Sequence, residues 1–207
     1  MMHQTICDFL LDIIQNSIEA DASGIVVEVK QSDALFEATV GDDGCGMDEE
    51  ELKRAQDPFY SKQGKHDHRK AGLGIPFLMQ TASMTGGQFD IQSQQGIGTS
   101  VRFVLPVDHI DTPPVGDVVG TFTAALSYPG SFGMVIKRSA AAAKGEDSYV
   151  LDRIELQETL GDLQTGVSLN LLRRFIASQE TSVQELLNSR VKSVKEAVHG
   201  KNDPRRA

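Results

Sequence analysis

Residues 11–47, LDIIQNSIEADASGIVVEVKQSDALFEATVGDDGCGM, change their apolar period twice, and those changes decide the architecture. Up to Ala20, Ile6, Leu10, Ile13 and Ala20 recur at helical spacing. Asp8, Asp12, Asn16 and Glu19 fall on another side at steps of three and four, which predicts an amphipathic helix from His3 to Ala20. Past Gly24 the period drops to two: Ile25, Val27 and Val29 alternate, a QSD turn follows, and ALFEATV reads as the returning strand of a hairpin. The next segment, GDDGCGM, is too rich in glycine for either element and reads as a tight turn. Asp48 with Glu51 three residues on is a capping box, opening a short helix to about Gln56.

Working outward, residues 57–73 (DPFYSKQGKHDHRKAGL) mix charges with two glycines and sustain no period, so a lid-like loop is expected. Gly74 to Met84 reads as a helix that tolerates Pro76 in its first turn and ends at Gly86-Gly87. QFDIQS and TSVRFVLP, joined by QQGIG, form a second hairpin. Pro113-Pro114 marks a stiff linker, which puts the expected division into domains at 1–108 and 109–207. Beyond it, GTFTAALSYPGSFGMVIKR is expected as a hairpin turning at Pro129-Gly130, with SYVLD as a third strand. The remainder is expected to be helical, with Ser182 and Glu185 capping the last helix. Leu160, Leu169, Leu172 and Ile176 are its expected core residues, and KNDPRRA a polar tail.

The 207 residues are 40% hydrophobic, enough to bury a substantial core, and their net charge of -9 argues against grip on a phosphate backbone. No nucleic-acid partner is expected. Cys7 and Cys45 form no CxxC pair and suit a reducing compartment. No stretch approaches the roughly 20 apolar residues of a membrane helix, and no basic leader pattern opens the chain. A soluble cytoplasmic protein with no membrane partner is the expectation.

Three segments carry candidate chemistry. On the first helix, Asp12, Asn16 and Glu19 lie side by side; an amide oxygen is a hard ligand suited to magnesium, and a carboxylate one turn earlier can orient or deprotonate a water. In Asp42-Asp43-Gly44-Cys45-Gly46, glycines admit a planar ring to the backbone while an aspartate accepts from an exocyclic amine. At Gly72-Leu73-Gly74, bare amides at a helix start can cradle phosphates. Taken singly, a solvated helix face, an ordinary turn and a lone GxG are open alternatives. No Walker A motif or dinucleotide fingerprint occurs, and the acidic ligands of a calcium loop are missing.

In this order the segments resemble the GHKL superfamily of DNA gyrase, heat-shock chaperone, histidine kinase and MutL ATPases. DIIQNSIEADAS looks like its N box, DDGCGM its first glycine box, DPFYSK its phenylalanine-containing segment and AGLGI its second glycine box. GGQFDIQSQQGIGTSVRFVLP is similar to the closing strands of histidine-kinase catalytic domains. The resemblance implies ATP and Mg2+ as cofactors, with Asn16 ligating the metal, Asp42 binding the adenine amine and Gly44 and Gly46 shaping the base pocket. By the same resemblance Gly72 and Gly74, with Leu73 between them, meet the phosphates and Thr99 supports the adenine end. Lys62, Lys65, Arg69 and Lys70 in the lid segment are cations that a closing lid would bring to a terminal phosphate, Lys62 being the one selected, and a solvated loop rich in such residues is the open alternative. Asp12 takes the place of the water-activating glutamate, one methylene shorter. None of His3, His66, His68, His109 and His199 has the context of a phosphoacceptor, so a phosphorylated group is expected on another protein. His66 and His68 flank Asp67 in the lid segment and are assigned no metal.

The expected fold is an α/β (α+β) two-layer sandwich of the histidine-kinase-like ATPase type over 1–108, with a small C-terminal α+β domain as a partner or dimer surface. The expected function is Mg-dependent ATP binding in a regulatory protein, an ATPase or protein kinase with slow hydrolysis or phosphotransfer to a partner protein. A noncatalytic ATP sensor controlling assembly and a MutL-like ATPase clamp are the alternatives, and a homodimer stays open.

Overall fold

Thr5 starts the first helix, α1 (Ile6–Glu19), two residues later than the expected His3. Its backbone is extended, and its hydroxyl accepts from the Asp8 amide while the Asp8 carboxylate accepts from the Thr5 amide. This reciprocal cap satisfies two of the amides that a helix start leaves unpaired. The Pro114 and Val115 carbonyls accept from the next two, those of Ile6 and Cys7, so the chain around the Pro113-Pro114 linker folds back over the helix start. The computed structural model describes residues 5–57 and 74–199, with side chains through 188. The expected lid and C-terminal tail fall outside the described residues.

The first hairpin is β1 (Gly24–Ser32) and β2 (Leu35–Asp42), and the short helix α2 (Glu49–Ala55) carries the reciprocal Asp48/Glu51 cap read from the sequence. Helix α3 (Gly74–Thr85) precedes the second hairpin, β3 (Gln88–Gln94) with β4 (Gly98–Pro106). Then come α4 (Val118–Leu126), β5 (Gly133–Ala142), β6 (Gly145–Asp152), α5 (Arg153–Leu160) and α6 (Gly166–His199). All six strands form one mixed sheet in the order β3-β4-β2-β1-β5-β6, in which only β1 and β5 run parallel.

Alternation sends Ile25, Val27, Val29, Ala38, Val40, Val101, Phe103, Met134 and Ile136 into one buried layer with the apolar sides of α1, α4 and α6. The other face carries cross-strand ion pairs, Lys137 to Glu28 and Arg102 to Glu37, both at 2.9 Å, beside exposed Val26 and Val150. The result is the mixed α/β sandwich expected for the first half, but β5 and β6 come from residues expected to stand apart. They extend the same sheet along β1, so 108/109 is no break in the hydrogen-bonded ladder.

Two expectations are corrected beyond that point. GTFTAALSYPGSFGMVIKR is not a hairpin: its first half is α4, capped by Asp117, and only its second half is a strand. Its β-branched and aromatic residues suggest strand, but Val118, Phe122, Ala125 and Leu126 recur at helical spacing and are buried, and packing overrides propensity. Pro129 and Gly130 sit in the helix-to-strand turn. Ser182 caps no helix either, because α6 is continuous and the Ser182 hydroxyl donates back to the Gln179 carbonyl. Leu172 and Ile176 are core as expected, Leu160 is partly buried and Leu169 lies exposed. Among the described residues no helix is long and apolar enough to cross a membrane.

Candidate functional site

The antiparallel register places Ser93 of β3, Thr99 of β4 and Asp42 of β2 in one row across the end of the sheet, with Ile25 of β1 next to them. Alternation puts this row on the face beneath α1. Asp42 is held by three donors: the Gly44 and Thr99 amides give to Oδ1 at 3.0 and 3.2 Å, and the Ser17 hydroxyl gives to Oδ2 at 2.6 Å. Ser17 is 4% exposed, on the buried side of α1. Three donors converging on one carboxylate fix its orientation while leaving acceptor capacity for a ligand donor.

The turn after β2 interlocks with the turn between β3 and β4. The Cys45 carbonyl accepts from the Gly96 amide at 2.7 Å, and the Ser93 hydroxyl accepts from the Met47 amide at 2.8 Å. Glycine is obligatory where these segments touch. Gly46 has φ +60, and a Cβ there would lie 2.0 Å from the Gln94 carbonyl oxygen. Gly98 has φ +137, and its Cβ would lie 1.9 Å from the Asp42 carbonyl oxygen. Gly98→Ala is therefore expected to lower folding stability by at least about 1–3 kcal/mol from backbone strain, read as a shifted urea midpoint. Gly44 packs against Ala20, where a Cβ would come 2.7 Å from the Ala20 carbonyl oxygen, and the Cys45 amide donates to that same oxygen.

Asp43 works on the opposite side of this turn. Its carboxylate accepts from the Ser23 amide and hydroxyl and from the Gly24 amide, closing the loop between α1 and β1. The Ser23 hydroxyl is the main cause that holds the Asp43 carboxyl below its ordinary value of 3.8, with the Gly24 amide next. Its stabilisation is therefore present above that value and lost as pH falls through the lower, folded-state value. The melting-temperature gap between the wild type and Asp43→Asn is expected to be open at neutral pH and to close in acid, as calorimetry across that range would measure.

On α1, Asp12 and Asn16 lie one turn apart on the half-buried side facing away from the core. Asp12 meets the start of α3: a Cβ at Gly74 would fall 1.8 Å from Asp12 Oδ2, so any side chain there would have to displace that carboxylate. The positive end of a helix dipole then faces a carboxylate. Thus the structure brings Asp42, Gly44, Gly46 and Thr99 together at one end of the sheet, and Asp12 with Gly74 at the junction of two helices. Lys62, Gly72 and Leu73 lie outside the described residues, as do His66 and His68. Among the described residues, no group of three or more His, Cys, Asp or Glu side chains is placed to hold a metal.

Sequence reading missed Ser17, Ser93 and Gly98 as parts of the site. Ser17 carried a signal, a polar residue in the apolar phase of the helix beside Ile13 and Ile14; the partners of Ser93 and Gly98 depend on strand register, which no local pattern contains. A hollow of about 780 Å3 also opens at this end of the sheet. Val26, Gly41, Ser100 and Val135 line it, and these alternate with the buried positions, so it lies mainly behind the Asp42 row. The convergent polar groups are on the helix side, and that side is the better candidate for ligand chemistry.

Residues 4–109 match the family model described as "Histidine kinase-, DNA gyrase B-, and HSP90-like ATPase". Sporulation kinase C of Bacillus subtilis is 34% identical over 99 residues, which cover 47% of this chain and 22% of that protein. Histidine protein kinase DivJ of Caulobacter vibrioides is 31% identical over 101 residues, covering 47% of this chain and 17% of its own. The chain thus spans about a fifth of the length of these curated relatives. Among solved structures, the N-terminal domain of a DNA repair protein aligns at TM-score 0.48 with 11% identity, over 81% of this chain and 59% of that one. The Aquifex aeolicus MutL ATPase domain complexed with ADP aligns at TM-score 0.41 with 14% identity, over 78% and 69%. Both likenesses are too distant to bear on the site. The family match runs unbroken over just over half of the 207 residues, from the cap of α1 to the end of the second hairpin, and the protein belongs to the histidine kinase-, DNA gyrase B- and HSP90-like ATPases.

Proposed function

We propose that this chain is an Mg-dependent ATP-binding regulatory protein that hydrolyses ATP slowly or passes its terminal phosphate to a partner protein. The observation that carries the reading is the Asp42 carboxylate, oriented by Ser17, Gly44 and Thr99 at the end of the sheet beneath α1. In this reading Asp42 takes the exocyclic amine of adenine, Thr99 supports the base, and Gly44 and Gly46 leave room for it. Gly74, with Gly72 and Leu73 before it, meets the phosphates, and Lys62 reaches the terminal one. Asn16 ligates the magnesium.

The donor set fits these groups: Asn16 offers a neutral amide oxygen suited to a hard cation, and the start of α3 offers backbone amides with no side chain at Gly74. Magnesium, when bound, neutralises phosphate charge. Asp12 is the candidate to orient or deprotonate an attacking water, and its short side chain supports slow turnover. The kinase names of the relatives support phosphotransfer to a separate protein. A partner or homodimer contact is assigned to the segment after residue 108, and a reducing, cytoplasmic setting suits the two unpaired cysteines.

Calorimetry with ATP in the presence and absence of magnesium tests the core of the proposal. Binding is expected only with magnesium and is expected to weaken at least about tenfold in Asn16→Ala, the scale of one lost ligand. Magnesium-independent binding, or an unchanged Asn16→Ala, would remove the metal role. Labelled ATP incubated with partner candidates then separates label on a protein from released phosphate, and neither outcome would leave a noncatalytic ATP sensor.

A further inference from the structure

On the sheet face turned away from the helices, one row of residues crosses all six strands near the same end: Gln92, Ser100, Gly41, Val26, Val135 and Asp152. The next rows on that face carry Lys137 paired with Glu28 and Arg102 paired with Glu37, the balanced charge of a solvated surface. The end row differs. Its middle has no charge, and the hollow of about 780 Å3 opens over it. A Cβ at Gly41 would meet no atom within 4 Å, so the absent side chain leaves the floor open beside Val26, which is 43% exposed. Ile97 and Ile154, 61% and 53% exposed, line the hollow from the β3–β4 turn and the start of α5. Gly24 and Gly133 pair in the β1–β5 ladder, and Cβ atoms there would lie 3.5 Å from Asp43 Oδ2 and 3.6 Å from Ile154 Cδ1. A carboxylate and an apolar side chain therefore stand over adjacent strands, which run about 4.8 Å apart. Among the described residues no lysine, arginine or histidine lines the hollow.

We propose that this hollow docks a partner protein through a short segment in which apolar residues sit beside lysine or arginine. The apolar side chains enter over Gly41 between Ile97 and Ile154, and the cations meet Asp43 and Asp152. Exposed aliphatic side chains gathered in one place gain from being covered, and carboxylates at their margin with no cation of their own select a positive partner. Asp152 accepts the Ile154 and Glu155 amides on Oδ1, which leaves Oδ2 for a cation. The Ser23 hydroxyl and then the Gly24 amide hold the Asp43 carboxyl below its ordinary value, so it is charged at neutral pH. A second copy of this chain is opposed, because it would set the same carboxylates against each other on a chain of net charge -9. A small molecule needs walls over most of its surface, whereas this hollow lies on an open sheet face. Gly133, Val135, Asp152 and Ile154 all lie beyond residue 108, so the surface exists only because β5 and β6 continue the sheet. The inference is independent of the nucleotide reading, which concerns the opposite face.

The test titrates the full chain, isotope-labelled for amide NMR, with three end-blocked hexapeptides at low salt: alternating leucine and lysine, leucine and glutamate, and serine and lysine. The leucine–lysine peptide is expected to shift the amide signals of Val26, Gly41, Ser100 and Val135. It is also expected to bind at least about tenfold more tightly than either other peptide, the scale of a buried aliphatic side chain or a close charge pair. Gly41→Val, whose side chain enters open space within a strand, is expected to melt no lower than the wild type. The same variant is expected to weaken the leucine–lysine peptide at least about tenfold by filling the floor. Should Gly41→Val fail to melt cooperatively, the double variant Ile97→Ser/Ile154→Ser, at two exposed positions, decides by the same loss. Equal binding of the serine–lysine or leucine–glutamate peptide overturns the proposal, as do absent binding, signal shifts confined to α3 or α6, and an unchanged affinity in the variant that decides. A wild type that self-associates in sedimentation and is dissociated by Gly41→Val makes a second copy the occupant, which also overturns it.

Discussion

Glu180→Ala is expected to cost about 3–5 kcal/mol of folding stability, the usual penalty for stranding one member of a buried ion pair. The Arg138 side chain is fully buried on β5 and Glu180 nearly so on α6, with their nearest atoms 3.1 Å apart. Glu180 also accepts from the Tyr149 hydroxyl at 2.7 Å and the Gln184 amide at 2.8 Å, while Arg138 donates to Gln31 at 2.6 Å and to the Ser139 carbonyl at 3.2 Å. Every charge in the cluster is thus matched, and it ties α6 to three strands. Removing Glu180 leaves a guanidinium in the core with only neutral acceptors. At roughly 2–4 °C per kcal/mol for a chain of this size, the melting temperature should fall by about 6–20 °C. Replacing Arg138 and Glu180 together by Met and Leu should recover much of the loss, since no charge is then stranded. Scanning calorimetry of the three proteins decides; a Glu180→Ala shift under about 2 °C would mean the ion pair contributes little. Burial, and then the Glu180 carboxylate, also push the Tyr149 phenol upward, so what this phenol contributes is present below its ordinary value of 10.0 and lost as pH climbs beyond it.

Asp42→Asn is expected to leave the fold intact and to weaken ATP binding by roughly 5- to 150-fold, the range for a buried acceptor turned against a donor. The remaining carbonyl oxygen of an asparagine can still take the Gly44 and Thr99 amides, and the Ser17 hydroxyl can rotate to accept from its amide nitrogen. The melting temperature should therefore move little. What changes is the ligand side, where an amine would meet an amide donor. Calorimetry on the variant and the wild type makes the comparison, and equal affinities would eliminate Asp42 as the group that recognises the base.

Much of this fold is legible in local patterns. The run from Ile6 to Val40 shifts from helical to alternating period at Gly24, and α1, β1 and β2 fall where the shift puts them. The Asp48/Glu51 box starts α2, and the glycines after β2 mark the turn. Residues 118–126 were misread because their composition favours a strand while their period, only two turns long, favours a helix. Only burial against α1 and α6 resolves that conflict. The pairing of β5 with β1 was out of reach for a different reason: a parallel contact between residues more than a hundred apart leaves no local trace.

The sequence by itself determined which segments are helix and strand through residue 106, where the glycine turns lie, and which carboxylates and amides share a helix face, because backbone geometry repeats every 3.6 or 2 residues and the apolar pattern reports that repeat directly. Only the tertiary structure decided that Ser17 reaches Asp42 across 25 positions, that Ser93 joins Thr99 to Met47, that Gly74 abuts Asp12, and that one sheet carries strands from both halves of the chain. Those contacts depend on strand register and on how helices settle over the sheet, which are set by burial of the whole core at once and not by any single stretch of residues.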